Sequence, residues 1–570
     1  MATAPAGDAG DAVVAAMAAG GVDLLFFTSG SDIAALQEAV ARRTELGLQT
    51  PRIVTALHET VGLNAAMGYA MVSGRPGAVA VHTDVGVLNM GAALHTAKRN
   101  GHALLLLAGS PATAATGSMR GARDHSVFWL QEPRDLREVV APYVKWAWRL
   151  QLQDDPGVVV GRALQVARTE PAGPAFVALP REALLAARPE SWFPTAERLG
   201  LPTVAYPDPG AIDRLADALV GAACPVVVTG RSGRDPATVP LLVELAESVG
   251  AYVTDAGWRE RLNFPSRHAL LETGPQLGEA DVVLVLDRAV PWAPGGAGAP
   301  GDGCFVAWMS HDPVVGDVAL HEFQAPLRIT CDPRAGLEAL AAAVQRRLTP
   351  AVRDRASARL ERGRERRAEL DHALAADLAR ATGEAPFDAG LVAHHLCELL
   401  DDDAILLDES LSNAPALRAR FRGTRPGSWF AQSGSAGGWG SGAALGAKLA
   451  APGRDVVLVS GDGFYTFGVP GAALWSALHE GAPYLAVVLV NGRYSTGTRQ
   501  VAGYYPGGFA ERAGFPGGRF EPPPDFAADA RAAGAFGEHV EDPAAVRPAL
   551  QRGLEATRNG SPAVVAVRVA

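Results

Sequence analysis

The chain has 570 residues, 48% of them hydrophobic and 20% charged, a globular balance that allows a large core and, by length, roughly three or four domains. Its formal net charge of −10, with no long basic run outside one mixed-sign segment, speaks against nucleic acid as the main partner. No stretch approaches the roughly 20 consecutive apolar residues of a membrane span. Residues 1–20 are alanine-rich but carry Asp8 and Asp11 without a basic start, which is not a secretion signal. Cys224, Cys304, Cys331 and Cys397 are scattered without metal-ligand spacing, as free thiols in a reducing compartment are. The expectation is a soluble, cytoplasmic protein.

From the amino terminus, residues 12–19, 24–27, 53–54, 62–72, 78–81, 88–97 and 104–107 alternate helical and strand patterns. That alternation predicts a doubly wound parallel sheet. Proline-rich sequence from Pro189 to Pro209 separates a second block, with buried strands at 225–229 and 281–286 and a helix at 241–249 between them. A glycine- and proline-rich stretch, 291–303, is expected to be flexible. Residues 346–380 mix Arg and Glu with Ala and Leu, which predicts a solvated linking helix. The third block, from about Phe387, alternates like the first and closes on a strand at 563–567.

Within the third block, residues 456–460 and 485–490 are short, branched and apolar, as parallel strands covered on both faces are. Gly461-Asp462-Gly463 follows the first run, a helical stretch fills 472–479, and Asn491 follows the second run. Asp462 and Asn491 therefore fall at the carboxyl ends of two parallel strands, where open α/β sheets bind ligands. A carboxylate and an amide oxygen suit a small hard cation such as Mg²⁺, which shares its shell with phosphate oxygens and water. The glycines admit backbone N–H groups close to an anion. The tripeptide by itself is also compatible with a glycine turn capped by aspartate; the paired asparagine points to a metal–diphosphate site. In the first block, Glu59 stands at the start of a small-residue helix. An acid there interacts favourably with the helix dipole, typically by roughly 0.3–1 kcal/mol.

These motifs resemble those of thiamine diphosphate-dependent enzymes, over nearly the whole chain and in particular the acetolactate synthase and benzoylformate decarboxylase family. The resemblance implies three doubly wound α/β domains: a pyrimidine-binding domain (1–185), a central domain (190–345) and, after a charged linker helix (346–386), a diphosphate-binding domain (387–570). It implies that Asp462, the Asn491 side chain and the backbone carbonyl of Arg493 hold Mg²⁺. Val490 stands where the family has the first asparagine of a pair. Gly461, Gly463, Phe464, Tyr494 and Ser495 would flank the diphosphate, as would Glu409, Ser410, Leu411 and Ser412 of a strand-end turn. The glycine-rich loop with Gly434, Ser435, Gly437, Gly438 and Trp439 would lie under the cofactor. An ungapped match puts Gly437 where the family has a bulky apolar residue, and a gapped match puts Trp439 there. Glu59 would hydrogen-bond N1′ of the aminopyrimidine and promote the tautomer that removes the thiazolium C2 proton. The family builds each site from two subunits, which implies a homodimer or homotetramer with Glu59 and Asp462 meeting across the interface.

For the substrate pocket, Ser31 and His82 match the active-site serine and one histidine of benzoylformate decarboxylase. Its second histidine has no counterpart after the strand at 281–286, where the chain runs to Trp292 and Pro294; His125 could serve from another direction or be a surface-loop residue. Gln131, in Phe128-Trp129-Leu130-Gln131-Glu132, resembles a pocket glutamine of acetolactate synthases. The implied activity is thiamine diphosphate- and Mg²⁺-dependent ligation: decarboxylation of a 2-oxo acid and transfer of the enamine to a carbonyl acceptor. The alternatives are non-oxidative decarboxylation and a catalytically silent cofactor-binding homologue. The resemblance leaves FAD in the second block open. A nicotinamide-linked oxidoreductase is disfavoured because no Gly-x-Gly-x-x-Gly opens a helix with an acid about 20 residues on.

Overall fold

The computed structural model describes residues 2–4, 7–188, 190–255, 259–296, 298–381 and 387–570. The start of the proline-rich separator at Pro189, part of the stretch 291–303 and the end of the linker segment lie outside these residues. Three parallel sheets organise the chain. The first comprises Leu24–Phe27, Arg52–Thr55, Gly77–Val81, Leu104–Ser110, Trp146–Arg149 and Pro174–Pro180. The second has five strands between Pro225 and Thr330, and the third has Ile405–Glu409, Trp429–Ala431, Val456–Gly461, Leu485–Val490, Phe536–Val540 and Ala563–Arg568. With strands numbered along the chain within each sheet, the first and third sheets share the order 2-1-3-4-6-5, and the second runs 2-1-3-4-5. Two short antiparallel pairs tie residues 7–8 to 187–188 and residues 2–4 to 191–193.

Alternation along each strand sends successive side chains to opposite faces. In the first sheet Phe26, Val79, Leu104 and Leu106 face a core shared with the third sheet, while Leu25, Phe27, Leu105 and Leu107 face the other side. The shared core is made by two helices, Glu59–Ser73 and Trp439–Ala450, each following the second strand of its sheet. Both are rich in Gly and Ala, which lets their backbones approach closely. A Cβ added at Gly68 would collide with the backbone of Ala443, and one at Gly446 with the backbone of Ala65. Residues 88–97, expected as one helix, belong to two, Thr83–Asn89 and Gly91–Asn100, that meet at Met90. Asn89 and Gly91 flank this break, and both are weak helix formers. The charged segment forms one long helix, Pro350–Ala381. Among the described residues no helix is long and apolar enough to cross a membrane.

Candidate functional site

At the carboxyl edge of the third sheet, Asp462 follows the third strand and Asn491 the fourth, and these strands are neighbours. Asp462 is 2% exposed. Its Oδ2 accepts the backbone N–H groups of Asn491 (2.9 Å) and Gly492 (2.7 Å), and its Oδ1 that of Gly463 (2.8 Å). Burial raises its carboxyl above the ordinary aspartate range, with the three N–H donors pulling the other way. The Asn491 amide donates to Ser495 Oγ (3.1 Å), and its oxygen accepts from the Arg493 N–H (3.1 Å). Gly492 has φ 65°, a conformation that favours glycine, and turns the chain beneath the aspartate. A buried carboxylate and an amide oxygen at two neighbouring strand ends are oxygen donors of the kind Mg²⁺ takes.

The glycine-rich loop runs beside this cradle and is anchored from two sides. Buried Glu409, at the end of the first strand, accepts from the N–H groups of Gly438 (3.0 Å) and Trp439 (2.7 Å) through Oε1, and from Ser460 Oγ (3.0 Å) through Oε2. Burial pushes its carboxyl up to about 7. From the first domain, Asn64 Nδ2 donates to Gly438 O (3.1 Å), His95 Nε2 contacts Gly434 O (3.1 Å), and Asn100 Oδ1 accepts the Ser433 N–H (2.7 Å). Gly438, at φ 93°, precedes the helix that begins at Trp439, and the Trp439 side chain is buried in the shared core. At Gly437 an added Cβ would lie 2.9 Å from Phe464 and 3.0 Å from Phe467. Two aromatic rings therefore already fill the space that a bulky residue at 437 would need.

The first sheet carries the other candidates. His58 caps the helix that opens on Glu59, its Nδ1 accepting from the Thr60 N–H (3.2 Å). Glu59 is 9% exposed, and its Oε2 accepts from Asn89 Nδ2 (3.0 Å). His82 follows the third strand; its Nδ1 contacts Asp32 Oδ1, and its Nε2 stands 3.2 Å from Gln131 Nε2. Glu59 and Asp84 act electrostatically on the same imidazole. Ser31 is exposed in the turn that carries Asp32. The fold thus gathers Glu59, His82 and Gln131 at one sheet edge and Asp462, Asn491, Glu409 and the glycine loop at another. No hydrogen bond or ion pair joins Glu59 to the Asp462 cradle among the described residues. Sequence reasoning missed Asp32, Asn64, Asn89 and Asn100, whose partners are remote in sequence. Asp32 was within reach, as an acid beside Ser31 in a strand-end turn.

A cavity of about 1280 Å³ lies at the carboxyl edge of the second sheet. Tyr252, Arg231, Arg288 and Trp292 line it, together with Gly434 and Ser435 of the glycine loop.

Comparison with known proteins bears on both halves. Residues 7–132 match the family model for the N-terminal binding domain of thiamine pyrophosphate enzymes, and residues 413–567 match the model for the C-terminal one. A benzoylformate decarboxylase of Pseudomonas aeruginosa is 28% identical, with 89% of this chain and 90% of that protein aligned. An acetolactate synthase large subunit of Mycobacterium tuberculosis is also 28% identical, over 99% of this chain and 96% of its own. In structure, the benzoylformate decarboxylase of Polynucleobacter necessarius superposes with a TM-score of 0.79 at 21% identity, over 99% of both chains. That likeness is one of fold.

Proposed function

Since the chain belongs to the thiamine diphosphate-dependent enzymes related to benzoylformate decarboxylase and acetolactate synthase, we propose that it decarboxylates a 2-oxo acid and releases an aldehyde. Carboligation is the second reading. Bound thiamine diphosphate would supply an electron sink that lets carbon dioxide leave. Asp462, Asn491 and the Arg493 carbonyl would hold Mg²⁺, and Ser410 and Ser412, just beyond the first strand of the third sheet, would add hydroxyl groups toward the diphosphate. Glu59 would carry the proton for the aminopyrimidine, its carboxyl buried and held by Asn89. Gln131 and Ser31 contact the polar end of the substrate, and His82 carries at Nε2 the proton that the product needs.

The observation that favours aldehyde release is the placement of His82, a half-buried imidazole that feels Glu59 and has Gln131 at its Nε2. The ligation reading draws support from the acetolactate synthase relative aligned over 99% of the chain, and from Trp292, not histidine, lying at the cavity of the second sheet. Because Glu59 and Asp462 stand on separate edges, we propose that two copies complete each site. Leu57, Leu88 and Leu130 near Glu59 and Gln131, at 51%, 62% and 85% exposure, and Phe467 beside Gly437, at 55%, are the apolar surfaces such an interface would cover. The test is incubation of the protein, loaded with thiamine diphosphate and Mg²⁺, with aliphatic and aryl 2-oxo acids, measuring carbon dioxide, aldehyde and ligated product separately. Carbon dioxide matched by aldehyde supports the first reading; carbon dioxide matched by a hydroxyketone supports the second. The cavity of the second sheet is where a flavin would sit, and the absorption spectrum of the purified protein decides its presence.

A further inference from the structure

We propose that Asp32 is a positioning residue for His82, holding the imidazole with Nδ1 turned into the protein and Nε2 turned toward Gln131, so that Nε2 alone faces the reacting groups. The niche is built for this pair. The Asp32 side chain has no exposure and that of His82 has 23%. Asp32 Oδ1 contacts His82 Nδ1, and the Thr83 N–H approaches Oδ2 at 3.4 Å. Two glycines make the room. A Cβ at Gly109, on the neighbouring strand, would collide with the Asp32 carboxylate, and one at Gly30 would lie 2.6 Å from His82 Cβ and 2.8 Å from its Nδ1. A carboxylate buried this deeply is costly unless paired and hydrogen-bonded.

The other charges around the pair are Asp84, on the helix that His82 caps, Glu59, on the helix Glu59–Ser73, and Arg181, which acts electrostatically on Asp32 and grips exposed Asp124 with both terminal nitrogens (2.8 and 2.7 Å). The hydrogen bond to Asp32 outweighs the opposing effect of burial, so His82 binds its proton more tightly than an ordinary histidine. At the far side of the ring, Gln131 Oε1 is buried without a hydrogen-bond partner. A primary amide carries both a donor and an acceptor, so half a turn of Gln131 suits either the neutral or the charged imidazole. Asp32 thus sets which nitrogen works, and Gln131 accompanies that nitrogen through both protonation states.

The catalytic meaning of this arrangement rests on the proposed function, but its geometry can be tested without turnover. The experiment is an NMR titration of histidine-labelled, cofactor-free full-length protein, with the His82 signal assigned from His82→Gln. Wild-type His82 is expected to titrate above the usual value of about 6.5. In Asp32→Asn the midpoint should fall by about one pH unit or more, whereas Asp32→Glu should keep it raised. A wild-type midpoint at or below the usual value overturns the proposal even if Asp32→Asn does not fold, and so does an unchanged midpoint in a folded Asp32→Asn. If the titrations behave as expected but no 2-oxo acid is turned over by wild type, the proposed function falls and the Asp32–His82 pairing stands. If turnover occurs, the matching limb of the pH–rate profile should shift in Asp32→Asn with cofactor affinity unchanged.

Discussion

The first and third sheets are the same scaffold carrying different chemistry. Each has the strand order 2-1-3-4-6-5, and each sends a small-residue helix from its second strand into the shared core. After the third strand the first sheet places His82 and the third places Asp462. After the second strand the first sheet goes almost directly into the helix that opens on Glu59. The third sheet inserts the loop 432–438 before its helix at Trp439. The difference lies at the strand ends: one edge presents a carboxyl and an imidazole, groups that can exchange protons, the other an aspartate, an amide and glycines of the kind that suit a metal-bound anion. The strands can stay uniformly apolar because the chemistry is confined to the residues just beyond them.

The comparison breaks most completely if the third edge loses its carboxylate. Asp462→Ala is expected to abolish metal-dependent thiamine diphosphate binding, read by calorimetry of metal-stripped protein with and without Mg²⁺. Equal binding in the variant would mean the cradle is not the metal site. The corresponding change on the first edge should separate binding from rate. Glu59→Gln is expected to bind the cofactor about as well as wild type while turnover falls by roughly 10²–10⁴-fold, the usual range for losing a positioned acid–base group. Loss of both together would place Glu59 in cofactor retention instead.

How far the sequence discloses this arrangement follows from what each residue depends on. The uniformly apolar runs at 456–460 and 485–490 announce buried parallel strands, and a polar residue directly after such a run announces a strand-end site. Asp462, Asn491 and His82 are legible on that basis, whereas Glu59 opens a helix and is singled out by the resemblance. Strand order is not, because it depends on which crossovers pack together. The short aromatic strands Trp146–Arg149 and Trp429–Ala431 escape because runs of three or four residues carry little periodicity. Asp32 looks like an ordinary turn residue until folding brings His82 beside it. That Phe464 and Phe467 crowd the place a Cβ at Gly437 would take appears only once the chain is folded.

The helix pair that joins the two scaffolds offers a smaller effect. Gly446→Val places a branched side chain against the backbone at Ala65 and is expected to cost at least the roughly 1–3 kcal/mol typical of overpacking. Denaturant unfolding of the apoprotein reads that loss. Gly461→Ala, whose Cβ would meet nothing within 4 Å, should leave stability nearly unchanged, and a large loss there would argue against the packing described.

The smallest effect is a pH dependence confined to one edge. Burial raises Glu409 to about 7, so between the ordinary glutamate value of about 4.3 and that value the folded chain holds a proton the unfolded chain releases. This group therefore makes stability fall as pH rises through that window, and above it the penalty is fully present. Glu409→Gln removes the titration while keeping an oxygen for the Gly438 and Trp439 N–H groups and an N–H₂ for Ser460. The melting temperature of the variant relative to wild type should therefore rise between pH 5 and pH 8. The His82 edge has the opposite chemistry but the same slope: a histidine with a raised folded-state affinity stabilises below its ordinary value and loses that contribution as pH rises through the raised one. Asp32→Asn should flatten that second contribution and leave the first in place, which makes the two edges separable in one set of melting curves. A Glu409→Gln curve parallel to wild type across the window would show that the buried carboxyl is not protonated there, and that the loop's N–H groups hold it charged.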